Sequence, residues 1–98
     1  MTRWRVFITP AAERALKGLP RDVEHFILGE FAGIIRRNPF AGTQLSGPLA
    51  WLHSFHFTIG GQPYRVAYSI DRTASKISVH FVGHRRGFYE RVRKRLGW

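Results

Sequence analysis

The chain has no cysteine, one methionine and only six acidic residues. Without cysteine there are no disulfides and no thiolate metal sites, which suits a reducing cytoplasm. No segment reaches the roughly 20 consecutive apolar residues of a membrane-spanning helix, so no membrane role is expected. The opening MTRWRVFITP has neither a long apolar run nor a small-residue cleavage site, so no secretory leader is expected. Repeats, low-complexity tracts and linkers are all missing, and 98 residues make one domain over 1–98 the default.

What the chain does have is aromatic and cationic. Eight Phe, three Trp and three Tyr within a 44% hydrophobic sequence are enough for one compact core. Sixteen Lys and Arg give a net charge of +10, and 13 of them are Arg. Residues 84–98 hold six of these cations against one acid. Lys serves solubility equally well, whereas Arg offers a planar fork for phosphate and a flat face for bases. Such a patch points to a polyanionic partner, either nucleic acid or an acidic protein.

Periodicity divides the chain into elements. Residues 3–8 read as a strand. Thr9 is placed to cap a short helix that Pro10 opens and Gly18 and Pro20 end. A second helix is expected over 21–37, with Val23, Phe26, Ile27, Phe31, Ile34 and Ile35 on its apolar stripe. Asn38-Pro39 stops it, and 38–50 reads as a loop. Three alternating stretches follow, 51–59, 64–70 and 76–82, joined by short turns that make them antiparallel neighbours. A last helix covers about 86–96, with Phe88, Val92 and Leu96 facing inward. The fold class is α+β, in the order β-α-α-β-β-β-α. A helical hairpin is expected on one face of a twisted, mainly antiparallel sheet.

Strict alternation gives each late strand an apolar and a polar face. The polar sets bring Ser54, His56, Arg65, His80 and His84 onto one surface, with Arg85 and Tyr89 at its rim. His25 and His53 read as structural. These residue types suit a phosphodiester: guanidiniums grip phosphate, and imidazole or phenol groups move protons. Arg86, Arg91, Arg93 and Lys94 extend the basic surface and are candidate RNA contacts, as is Ser54. The histidines have no metal-ligand spacing, so neither metal nor cofactor is expected.

The order of these segments resembles the RelE/ParE superfamily of prokaryotic toxins, and most closely its RelE-like mRNA endonucleases. The resemblance rests on Val6-Phe7-Ile8-Thr9-Pro10-Ala11-Ala12, Leu16-Lys17-Gly18-Leu19-Pro20, Asn38-Pro39 and Leu45-Ser46-Gly47. Its most specific parts are Tyr64-Arg65-Val66-Ala67-Tyr68-Ser69-Ile70-Asp71 and Val82-Gly83-His84-Arg85 with Tyr89. It implies a basic, concave active face, with Arg65, Arg85 and Tyr89 at the family's catalytic positions. Where well-known members carry two strand lysines, this chain has Ser54 and His56, so His56 and His84 become candidate proton carriers.

The resemblance further implies the toxin of a type II toxin–antitoxin pair, acting in the cytoplasm of a prokaryote. Its substrate would be mRNA in the ribosomal A site, and its partner an acidic antitoxin in a hetero-oligomer. Cleavage would use the RNA's own 2′-hydroxyl without a metal. The alternatives are a ParE-like gyrase inhibitor that acts by binding, and an inactive relative that only binds RNA or a partner.

Overall fold

The computed structural model describes residues 3–96; Met1, Thr2, Gly97 and Trp98, the last two closing the expected basic tail, lie outside the described residues. The elements are β1 (Arg5–Ile8), α1 (Pro10–Lys17), α2 (Arg21–Phe26), a π-helical turn (Ile27–Phe31), α3 (Ala32–Arg37), β2 (Thr43–Gln44), a 3-10 turn (Gly47–Leu49), β3 (His53–Ile59), β4 (Gln62–Asp71), β5 (Lys76–His84) and α4 (Phe88–Leu96). One sheet holds all five strands in the order β1-β5-β4-β3-β2. Among the described residues only the β1–β5 pairing is parallel.

Local chemistry sets the element ends. The Thr9 hydroxyl accepts from the Ala12 N–H at 3.2 Å and donates to the Val79 carbonyl at 2.9 Å, so one side chain caps α1 and ties it to β5. Segments α2 and α3 form one continuous rod through the π turn. Ile27, Phe31 and Ile35 are spaced by four residues, which drifts about 40° per step on a regular α-helix. The wider π turn, with the Ala32 N–H reaching back to the Ile27 carbonyl, absorbs part of that drift, and all three side chains are fully buried.

This rod and α1 cover one face of the sheet, as expected. Val23, Ile27, Phe31 and Ile35 pack against Phe57, Tyr64, Val66, Tyr68, Ile77 and Val79. Pro39 and Gly42, just beyond the rod, are pinned by Tyr68. Its hydroxyl donates to the Pro39 carbonyl at 2.8 Å and accepts from the Gly42 N–H at 3.0 Å. A Cβ at Gly42 would lie 2.6 Å from that hydroxyl and 2.7 Å from the Ser54 carbonyl oxygen, so glycine is required by close approach.

Two expectations need correction. Strand β3 begins at His53 rather than at 51, because Gly47–Leu49 and the following turn hold Trp51 outside the ladder. More consequentially, alternation fails in β5. Tyr68 pairs with Val79 but Ala67 pairs with Phe81, so His80 is an extra residue and a β-bulge. Beyond it the faces exchange. Val82 joins Val66 on the hairpin face, while Phe81 joins Ala67 on the other. That second face is therefore not simply polar. Phe81, Ala67, Leu52 and Leu49 form a smaller core with Phe88 and Val92 of α4.

Candidate functional site

Helix α4 covers only part of its face. Beside the small core runs the cross-strand row His56–Arg65–Gly83, read directly from the strand register. Gly83 is buried and brings no side chain; the Phe81 ring and the Arg91 guanidinium lie over it. The Arg65 guanidinium carbon lies 5.1 Å from the Tyr89 ring centroid, a cation–π contact that spans from β4 to the first turn of α4. The Arg65 Nε is buried and has no hydrogen-bond partner. Tyr89 meets Phe88 edge-on, with centroids 5.5 Å apart.

Arg85 stands in the turn between β5 and α4. Its backbone N–H donates to the Pro63 carbonyl at 3.0 Å, and its own carbonyl accepts from Phe88 at 3.2 Å. The side chain is exposed and lines a cleft of about 600 Å³ with Gln62, Pro63, His84, Arg86 and Arg91. Partial burial, then the positive charges of Arg65 and Arg85, hold the His56 imidazole below its usual value. Both guanidiniums thus act electrostatically on the same imidazole, which stays neutral and free to accept a proton near neutral pH.

The other expected residues divide sharply. Ser54 shares the face but is buried, 2% exposed, with no hydrogen-bond partner for its hydroxyl, so it presents nothing to a large ligand. His80 is the bulge residue, bonded to the Ser69 hydroxyl at 2.8 Å and edge-on to Trp51. His84 lies on the far side of the bulge. It pairs with Tyr64 and packs on that ring, 4.6 Å between centroids, ending the hairpin-face stack of Phe26, Phe57 and Tyr64. The structure therefore separates His84 from Arg65 by the thickness of the sheet. His53 stacks on Tyr68, and its pKa is lowered by burial.

Among the RNA-contact candidates, Arg86, Arg93 and Lys94 are exposed. Arg93 and Tyr89 face Gln44, Leu45, Ser46 and Leu49 across a groove of about 390 Å³. Arg91 is different: its guanidinium is bonded to the carbonyls of His84 and Arg86. Sequence reading missed that internal role, although Gly83 and Gly87 mark the place. Among the described residues no three His, Asp or Glu gather to hold a metal ion. The arrangement supplies two guanidiniums, an imidazole and a phenol, a set able to bind a phosphate and move protons beside it.

The sequence model of the ParE-like toxins of type II bacterial toxin–antitoxin systems matches residues 6–93. The toxin–antitoxin complex RelBE2 from Mycobacterium tuberculosis contains a chain with TM-score 0.72 and 29% identity, over 87% of this chain and 94% of that one. The archaeal RelE–RelB complex from Pyrococcus horikoshii gives 0.63 and 27%, over 88% and 98%. A free mutant of Escherichia coli toxin RelE superposes over 98% of this chain and 99% of its own, with TM-score 0.72; at 15% identity it speaks for the fold alone. Among curated protein sequences there is no match.

Proposed function

The chain belongs to the ParE-like toxins of type II bacterial toxin–antitoxin systems, and from that membership we propose that it is a ribosome-dependent mRNA endoribonuclease that stops translation. The convergence of His56, Arg65, Arg85 and Tyr89 from four different elements carries this reading. A protein that acts by binding alone needs no imidazole under the influence of two guanidiniums.

The substrate supplies its own nucleophile. Neutral His56 takes the proton of an RNA 2′-hydroxyl, and the 2′-oxygen attacks the adjacent phosphorus. The P–O5′ bond breaks, and the Tyr89 phenol gives its proton to the departing 5′-oxygen. The products are a 2′,3′-cyclic phosphate and a 5′-hydroxyl, and solvent returns the proton from imidazolium to phenolate. Arg85 and Arg65 hold the non-bridging oxygens and bind more tightly as negative charge grows on them. Arg86, Arg93 and Lys94 flank this centre as backbone contacts.

The partner is an acidic antitoxin that complements the +10 charge within a hetero-oligomer. The M. tuberculosis and P. horikoshii neighbours are themselves chains of toxin–antitoxin complexes. The site of action is the cytoplasm of a prokaryote, where translating ribosomes are. Primer extension on a message translated in vitro tests the reading. Cuts within the A-site codon are expected, with a loss of about 10²–10³ in rate for Arg85→Ala. Intact message with wild-type protein would sink it. Inhibited DNA supercoiling would then favour a gyrase-binding protein, and salt-sensitive RNA binding without cleavage an inactive relative.

A further inference from the structure

Arg91 is expected from its charge to touch RNA, yet its guanidinium is engaged by the chain's own backbone at the surface. Nη2 donates to the His84 carbonyl at 2.6 Å and Nη1 donates to the Arg86 carbonyl at 2.7 Å. These two carbonyls stand on either side of Arg85. The planar fork of an arginine reaches two acceptors at once, which a lysine ammonium does not do with the same geometry.

Two glycines make room for the fork. A Cβ at Gly83 would lie 3.2 Å from Nη2, and one at Gly87 would lie 3.3 Å from Nη1. Gly87 also has φ +67, a left-handed conformation that disfavours any side chain. The peptide groups of Arg85 itself are bonded to Pro63 and Phe88. With the His84 and Arg86 carbonyls added, four backbone groups at and beside Arg85 are bonded, and its side chain stays exposed.

We infer that Arg91 is a positioning residue: its fork, seated between Gly83 and Gly87, fixes the peptide frame from which Arg85 reaches the scissile phosphate. The inference rests on the proposed reading of Arg85 as a phosphate grip. It also explains why the Gly83-His84-Arg85-Arg86-Gly87 run has a glycine at each end. The ends accommodate Arg91, and the middle presents Arg85.

The test compares Arg91→Ala, Arg91→Lys, Arg85→Ala and the Arg85→Ala/Arg91→Ala double variant. Amide hydrogen exchange at Arg85 reads the frame, and single-turnover cleavage of ribosome-bound mRNA reads its consequence. Both Arg91 variants are expected to speed exchange at Arg85 about tenfold or more, with β3 and β4 amides unchanged as proof of folding. Cleavage is expected to fall on the order of tenfold to a hundredfold. Arg91→Lys should be impaired like Arg91→Ala although it keeps the charge, and the double variant should be no slower than Arg85→Ala. A wild-type rate for Arg91→Lys, or losses that multiply in the double variant, would overturn the inference in favour of direct charge contact with RNA. If wild-type protein cuts no ribosome-bound mRNA, the proposed function falls. Exchange at Arg85 then decides by itself whether Arg91 holds the turn, and unchanged exchange ends that claim too.

Discussion

On the hairpin face of the sheet, Phe57, Tyr64, Val66, Tyr68 and Val79 meet Val23, Ile27, Phe31 and Ile35 in one continuous core. On the opposite face, Leu52, Ala67 and Phe81 form a smaller cluster with Leu49, Phe88 and Val92, and the row His56–Arg65–Gly83 is left beside them. The same three strands thus support a full helical cover on one side and a nine-residue helix on the other. The short cover leaves charged groups half-desolvated instead of buried or fully hydrated. That intermediate environment shifts the His56 pKa and keeps Arg65 against Tyr89.

Core truncation on each face is the strongest way to break this comparison. Phe31→Ala is expected to cost about 3–5 kcal/mol, measured by urea unfolding, since the ring is fully buried between Phe55 and Tyr68. Phe88→Ala should cost less, because its cluster is smaller, yet should cut RNA cleavage sharply by loosening α4 and Tyr89. Equal losses of stability would mean that the two faces form one undivided core.

A smaller effect sharpens the role of Tyr68. Tyr68→Phe is expected to cost about 1–3 kcal/mol by leaving the Pro39 carbonyl and the Gly42 N–H without their partner. Thermal unfolding measures it, and no change would show that the 38–42 segment is not held from the hairpin face. Smaller still is the pH dependence. Burial lowers the pKa values of His53, which stacks on Tyr68, and of His80 at the bulge; Lys76 adds to the shift of His80. With folded values below the usual imidazole value of about 6.5, the unfolded chain binds more protons as pH falls through that range. Stability should therefore be full above about pH 6.5 and decline toward pH 5. A melting temperature that stays flat or rises on acidification would contradict it.

Much of the fold is legible because its signals are local. Thr9-Pro10 announces α1, Asn38-Pro39 ends the rod, and 53–59 alternates faithfully. The parts that escaped depend on tertiary pairing. Strand β2 has two residues and exists only because it lies beside β3. The π turn answers a four-residue spacing that a helical pattern tolerates without announcing it. The bulge did leave a trace: Phe81 and Val82 are consecutive apolar residues, and a period of two cannot bury both on one face. Once that pair is given two cores, His84 moves to the Tyr64 side, away from Arg65, while still lining the Arg85 cleft. The positions of Arg65, Arg85, His56 and Tyr89 in the fold were readable because they lie before the bulge or beyond the strand, where one displaced residue does not invert them.

The bulge at His80 leaves His56 as the imidazole beside Arg65 and puts His84 on the other face, at the edge of the Arg85 cleft. Single-turnover cleavage of ribosome-bound mRNA by His56→Ala and His84→Ala tests it most directly. A loss of about 10²–10⁴ is expected for His56→Ala, the range for a general base, with His84→Ala close to wild type. A wild-type rate for His56→Ala together with a collapse for His84→Ala would contradict the account.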